Sequence, residues 1–264
     1  MKERFFMPVS RAECATNKNE SHAGKKLPRL TAIMDNCGAF VNFPIMHCIV
    51  TAGPTYEPLD EVRRLTNFSS GKLGSQLADF LVARGHEVTL LYGHYATYRE
   101  KQTAQNILPF DTTENLREKL ASFGSQNIGA VFHVAAVSDF GFGKVWERDA
   151  AGELRELKSG KISSRAGTLL AELVSTPKII ASLRGYFAKS CLVGWKYEID
   201  GGQNGVLDKA RKQIRENDTD ACVANGNAYG DGFGLIHRDG TQAHLSNAME
   251  LFTALEELAL RKNL

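Results

Sequence analysis

The sequence predicts an α/β protein: a doubly wound, mostly parallel sheet in three layers, with a flap or arm and a small C-terminal strand pair. Two observations predict the sheet. From Cys48 onward, short apolar runs alternate with amphipathic stretches of helix length, and strands that alternate with helices pair in parallel through crossovers. Four of those runs end in the motifs TAG, AAVSD, GWKYE and AN, at the carboxyl ends where open α/β sheets gather their ligands. A third observation predicts the flap. From Gly141 to Thr168 the pattern breaks into glycine, charge and isolated apolar residues, a connection longer than compact domains keep without a functional reason.

Residues 1–45 differ in kind. They are polar through the middle and have no sustained period, so a mostly disordered extension is expected, or a start assigned too early, with Met34 or Met46 as alternatives. Glu3, Glu13 and Glu20 are out of place in a transit peptide, because targeting peptides are poor in acids. Residues 46–264 read as one domain. His47 to Val50 is a buried strand, and Leu73, Leu77, Phe80 and Leu81 mark the apolar face of the helix after it. GHEVTLLYG is a second strand and Asn106 to Phe110 a weak third. Thr112 or Thr113 then caps a helix, TENLREKLASF, by the usual start signal. IGAVFHVAAV is a strongly apolar strand. After the flap, STPKIIASLRGYF begins a helix with Pro177 suited to its first position. CLVGW is a strand, GVLDKARKQIREN a helix and DACVAN a strand. GLIHRD and QAHLS pair around Asp239 and Gly240, and Asn247 with Glu250 resembles a capping box at the last helix.

A hydrophobic content of 43% and a net charge of +2 describe an ordinary globular chain, with no footprint for nucleic acid or an acidic membrane surface. No run approaches the roughly 18 apolar residues of a membrane span. Cys14, Cys37, Cys48, Cys191 and Cys222 are widely spaced and form no CxxC pair, which argues against a disulfide framework and a zinc site; a reducing cytoplasm is the expected location. Anion recognition must therefore be local. SSGKLG, Ser69 to Gly74, sets two hydroxyls, two glycines and a lysine at a helix start, where free N–H groups and the dipole favour an anion. Arg63, Arg64 and Asn67 stand just upstream as further donors. A Ser/Gly turn that only caps a helix has the same composition. The segment is neither GxxxxGK[ST] nor GxGxxG.

The string VTAGPTYEPLDEVRRLTNFSSGKLG, followed in order by AAVSDF at 135–140, KI at 161–162 and VAN at 223–225, resembles the phosphopantothenate–cysteine ligase family, also called phosphopantothenoylcysteine synthetase. The resemblance runs from about Cys48 to the C-terminus. It implies a Rossmann-like sheet and a homodimer with the active site near the interface. It implies nucleotide contacts at Gly53, Ser69, Gly71 and Gly74, with Trp195, where the family generally carries Phe, at the base and Asn225 nearby. Around 4′-phosphopantothenate it implies Asn67, Ala135, Ala136 and Asp139, and Arg63 reaching across the dimer interface. Lys161 is the implied catalytic lysine, with Lys158 as the fallback, and Asn67 the implied donor to an oxyanion. The implied reaction joins the carboxylate of 4′-phosphopantothenate to the α-phosphate of CTP or ATP, releasing pyrophosphate. The amine of L-cysteine then captures the acyl nucleotide, a step of coenzyme A biosynthesis. Mg²⁺ is the implied divalent ion, its ligands unknown. The flavin-binding decarboxylase domain often fused to this family does not fit in the tail, so no flavin is expected.

Bacterial members of the family commonly carry KLxxK ahead of the final strand as triphosphate ligands, and Gln213 and Asn217 stand there instead. Lys209, Lys212 or Arg215 remain as substitutes. NFSSG, SDF and the lysine of GWKYE resemble the ATP-using eukaryotic branch, whereas TAGPTYEP resembles bacterial members, many of which use CTP; the base stays open. The missing lysines motivate one alternative, a nucleotide-binding paralogue without activity. The sheet alone motivates another, a short-chain NAD(P) oxidoreductase. That reading needs GxGxxG and YxxxK, and here Lys189 follows Tyr186 one position short, while a shared fold does not establish function.

Overall fold

The computed structural model describes residues 30–34, 40–158, 160–163 and 167–264. Two short strands, β1 (Leu30–Met34) and β2 (Phe40–Pro44), pair antiparallel within the stretch expected to lack order; Cys14 and Cys37 lie outside the described residues. The main sheet begins with β3 (His47–Ala52), buried on both faces as a central parallel strand must be. The chain then makes a ribbon of β4 (Tyr56–Pro58) and β5 (Arg64–Thr66). Helix α1 (Lys72–Ala83) returns it to β6 (Glu87–Gly93), and β7 (Asn106–Phe110) follows. Helix α2 (Thr113–Ser122) starts where Thr112 Oγ1 accepts the Asn115 N–H at 3.2 Å, a side-chain cap.

Next comes β8 (Ala130–His133), then an arm of β9 (Phe140–Arg148), β10 (Leu154–Glu156) and β11 (Thr168–Ser175). Helix α3 (Ile179–Tyr186), β12 (Cys191–Tyr197), α4 (Gly202–Asn217) and β13 (Ala221–Asn225) continue the alternation. The antiparallel pair β14 (Phe233–His237) and β15 (Gln242–Leu245) precedes α5 (Ala248–Lys262). At the start of α5, Asn247 Oδ1 accepts the Glu250 N–H at 3.0 Å, while the Glu250 carboxylate takes the Ser246 N–H.

The sheet order is β15-β14-β13-β12-β8-β3-β6-β7, with every pair from β13 to β7 parallel. Alternate residues serve opposite faces, as strand geometry requires. Val50 and Phe132 pack with Leu77, Leu81, Leu251 and Leu255 of α1 and α5. Ile49, Val131 and Leu192 pack on the other face with Leu116, Ile179 and Leu183 of α2 and α3. Helix α4 extends that second layer through Ala210 and Ile214 against Cys222. The free thiols Cys48, Cys191 and Cys222 are buried, and burial pushes that of Cys191 up to about 12. They are core residues, unreactive as thiolates.

Three expectations change. The stretch read as a patternless flap is a three-stranded antiparallel sheet, order β10-β9-β11, reaching Ser175. Its strands bury little, so they carry no hydrophobic period to read. Strand β8 ends at His133 rather than at Val137, because Val134 N–H turns back to the Phe132 carbonyl at 3.1 Å. Pro177 precedes the N-cap, Lys178, instead of opening α3. Thr176 N–H bonds to the Asp139 carbonyl at 3.0 Å and its hydroxyl bonds to the Ser138 carbonyl, which holds 176–177 extended and delays the helix.

Candidate active site

The chain reverses direction across the sheet between β3 and β8, the switch point at which α/β sheets open a crevice. Beyond both strands the TAGPT and AAVSD turns stay side by side. Ala136 N–H donates to the Gly53 carbonyl at 3.0 Å, Thr55 N–H to the Ala136 carbonyl at 3.1 Å, and Ser138 N–H to Thr55 Oγ1 at 2.8 Å. Below them Thr51 Oγ1 accepts the Ala135 N–H at 3.0 Å and lies 3.1 Å from Nδ1 of His133. Burial pulls His133 down to about 4, so the imidazole is neutral at pH 7.

Asn67 joins the SSG turn to this pair. Its Nδ2 donates to the carbonyls of Ala136 and Val137 at 3.3 and 3.2 Å, and the residue is otherwise exposed. Helix α1 starts behind a left-handed Gly71 at φ 79° with no side-chain cap, and its first backbone bond is Ser75 N–H to the Gly71 carbonyl. Lys72 N–H is taken by Ser70 Oγ at 3.3 Å, and the remaining N–H groups of that first turn are the ones a helix leaves for an anion. Packing explains why glycines stand here. A Cβ on Gly53 would lie 2.7 Å from that of Ala96, and one on Gly74 would lie 2.7 Å from Ala52 Cβ and 2.9 Å from the Thr51 carbonyl. The loop after β6 closes over the turn, with Thr97 and Tyr98 N–H groups on the Ser70 carbonyl at 3.1 and 2.9 Å.

The two arginines upstream divide. The Arg64 guanidinium stacks 3.4 Å from the Tyr95 ring centroid, a cation–π contact. Arg63 chelates Asp60 through Nε and Nη2 at 3.0 and 2.7 Å and also donates to the Ile162 carbonyl. Glu61 N–H bonds to the Gly160 carbonyl at 2.9 Å and Ile162 N–H to Asp60 Oδ2 at 3.1 Å. Lys161, itself exposed, is therefore bracketed by backbone contacts to the 60–63 turn. Asp139 pairs with Lys178 at the surface, which brings the start of α3 to the AAVSD turn.

At the ends of β12 and β13, Trp195 Nε1 and Asn225 Oδ1 are buried with no hydrogen-bond partner among the described residues. Such atoms are uncommon in finished structures and call for a partner. Asn225 also lines a cavity of about 490 Å³ with Tyr197, Gly226, Asp231 and Phe233. Gln213 and Asn217, expected at the positions of the family lysines, bond within the protein. Gln213 donates to the Trp195 carbonyl at 3.2 Å and accepts from Cys222 Sγ at 2.9 Å, while Asn217 bonds back to the Gln213 carbonyl at 2.8 Å. Of the proposed substitutes, Lys209 pairs with Glu198 beyond β12 at 2.6 Å and Lys212 with Glu216 at 3.6 Å.

Residues 45–248 match the family model described as the DNA/pantothenate metabolism flavoprotein C-terminal domain. The chain belongs to this family. The coenzyme A biosynthesis bifunctional protein CoaBC of Thermococcus kodakarensis is 34% identical over 182 residues, 67% of this chain and 40% of the relative. The protein of the same name from Bacillus subtilis is 30% identical over 225 residues, 81% of this chain and 51% of the relative. The chain thus spans about half the length of these curated relatives, or less. The solved DNA/pantothenate metabolism flavoprotein from Streptococcus pneumoniae superposes with a TM-score of 0.70 and 27% identity over 80% of this chain and 97% of that one. Within this pantothenate-metabolism fold, Asp60, Thr51, His133 and Lys178 are site neighbours that nothing in the sequence singles out. Their roles rest on partners 39 to 102 residues away, beyond the reach of local pattern.

Proposed function

We propose that the chain joins 4′-phosphopantothenate to L-cysteine through an acyl nucleotide, converting CTP or ATP to the monophosphate and pyrophosphate. The observation that carries this reading is the coupling of the NFSSG and AAVSD turns by Asn67 at the switch point, in a chain of the pantothenate-metabolism family. The relatives named for coenzyme A biosynthesis support it. In this reading the first turn of α1, with Ser69, Gly71 and Gly74, and the TAG turn at Gly53 take the phosphates, while Trp195 and Asn225 meet the rest of the nucleotide with their unpaired buried atoms. Ala135, Ala136 and Asp139 line the acid. Lys161 offsets charge as the carboxylate is joined to the α-phosphate. Asn67 then turns an amide proton from the Ala136 and Val137 carbonyls to the acyl oxygen as the cysteine amine attacks.

Mg²⁺ belongs to this reading as a companion of the triphosphate, where it neutralises phosphate charge. Mg²⁺ is usually held by substrate phosphates and one or two carboxylates. Asp139 is the carboxylate at hand. The exposed apolar residues Leu65, Phe68, Leu154, Leu173 and Val174 of the ribbon and arm form the contact with a second copy, a homodimer with the site beside it. Sedimentation of the Phe68→Ser, Leu173→Ser double variant should show a monomer where the parent is a dimer. Among the described residues no helix is long and apolar enough to cross a membrane, and the reading assigns the reaction to the cytoplasm.

The test is pyrophosphate release with 4′-phosphopantothenate, cysteine and Mg²⁺, comparing CTP with ATP and omitting each substrate in turn. Release that depends on the acid, with phosphopantothenoylcysteine detected by mass, is expected. A protein that binds nucleotide yet releases nothing is instead a non-catalytic paralogue, the reading that the inward-facing Gln213 and Asn217 would favour.

A further inference from the structure

Three facts converge on one carboxylate. Asp60 is 1% exposed at its side chain and accepts five hydrogen bonds: Val62 and Arg63 N–H on Oδ1 at 3.0 and 2.8 Å, and Arg63 Nε, Arg63 Nη2 and Ile162 N–H on Oδ2 at 3.0, 2.7 and 3.1 Å. Arg63, so fixed, returns a bond to the carbonyl of the same Ile162. Ile162 is itself buried, at 4% exposure. A turn of the β4–β5 ribbon thereby grips both polar backbone groups of a residue 102 positions away, next to Lys161.

We propose that Asp60 is a positioning residue, whose carboxylate fixes Arg63 and the Ile162 backbone so that Lys161 is presented in one place for the reaction. The proposal rests on the ligase reading above and adds to it a residue that does not touch substrate. Burial opposes ionisation of Asp60, but the Val62 and Ile162 N–H groups and Arg63 outweigh it and hold the carboxyl at about 2. The clamp is therefore charged at any pH at which an acyl nucleotide would be assayed. All five bonds end on an ionised carboxylate and are charge-assisted, the stronger class of hydrogen bond. A neutral amide cannot reproduce them, because an Asn would have to place an N–H against one set of donors.

The test uses Asp60→Asn in the full chain, with two independent readouts. Amide hydrogen exchange across 160–163 reports the clamp without any chemistry; protection of the Ile162 amide should fall roughly 10- to 100-fold, the worth of one or two charged hydrogen bonds. Single-turnover formation of the acyl nucleotide should fall about 10²-fold, the effect of a small misplacement. Capture of the preformed intermediate by cysteine should stay within about twofold, since Asn67 is not held by Asp60. Asp60→Glu, which keeps the charge, should recover part of the first step. Unchanged protection at 160–163 would overturn the clamp whatever the activity, and an equal loss in both half-reactions, with no recovery in Asp60→Glu, would make Asp60 merely structural. Lost protection in a protein whose parent forms no acyl nucleotide would uphold the grip on Ile162 and overturn the reaction reading instead.

Discussion

His133 offers a direct way to weigh the packing under the candidate site. Its ring lies 3.1 Å from Thr51 Oγ1, in a position 7% exposed, and burial lowers it from 6.5 to about 4. The folded state thus binds this proton less readily than the unfolded chain. Between those two values the unfolded state holds more protons, so stability rises with pH there. The contribution is complete above about pH 6.5 and is lost as the pH falls toward 4. The full difference is on the order of 3 kcal/mol, and the share lost between pH 7.5 and pH 5.0 is about 2 kcal/mol. The perturbation is His133→Asn, which keeps a polar atom near Nδ1 and cannot titrate. Urea unfolding of both proteins at pH 7.5 and 5.0 should show the parent losing about 2 kcal/mol more than the variant over that interval. The variant pays a cavity term, but equally at both pH values, so the difference between slopes isolates the proton. Equal slopes, or an imidazole found protonated at pH 6 by NMR, would refute the argument.

Other outcomes follow from single contacts. Gly74→Ala should destabilise by about 1–3 kcal/mol because its Cβ meets Ala52 and the Thr51 carbonyl, whereas Gly205→Ala within α4, with nothing within 4 Å, should stabilise by about 0.5–1 kcal/mol; thermal melts of the pair decide it. Buried Glu256 bonds Arg84 and His86 at 2.9 and 3.0 Å. Burial opposes its ionisation, yet those partners win and hold it below 4.5. Its contribution is therefore present above about pH 4.5 and lost as the pH falls through the lowered value, so Glu256→Gln should be less stable at pH 7 with a flatter acid limb in unfolding titrations. Lys161→Gln should block acyl-nucleotide formation, and Asn67→Asp should permit it while slowing capture by cysteine about 10²-fold or more; quench-flow with labelled nucleotide separates the steps, and normal turnover in both would remove these assignments.

Where burial was one-sided or complete, the sequence was readable. β3, α1 and β6 lie where the period of Cys48 to Gly93 puts them, and Asn247 with Glu250 marks the start of α5. The arm was not readable, since β11 (TLLAELVS) leaves nearly every residue exposed and so shows no alternation to a reader of patterns. Motif reading found the turns at the switch point but gave their glycines only a ligand role; the close approach of Gly74 to Thr51 and Ala52 is a packing reason that local sequence cannot display. Arg63 shows the same limit. Its spacing from Asn67 suggests an anion donor, while its partners, Asp60 and Ile162, appear only once the chain is folded.

The β4–β5 ribbon links these observations. At its turn, Asp60 and Arg63 hold the backbone beside Lys161; beyond β5, Asn67 holds the AAVSD turn. The residues assigned to the two half-reactions are thus tethered to one short connector rather than to separate loops. Lys161 lies within the arm, between β10 and β11, while the AAVSD turn precedes β9, so without the ribbon their separation would follow the arm. Fixing both to the ribbon removes that freedom at the cost of a few charged hydrogen bonds. Such a design also accounts for a buried carboxylate with five donors in a turn of five residues. A surface turn needs no such anchor, but a turn that must hold two reacting segments in register does.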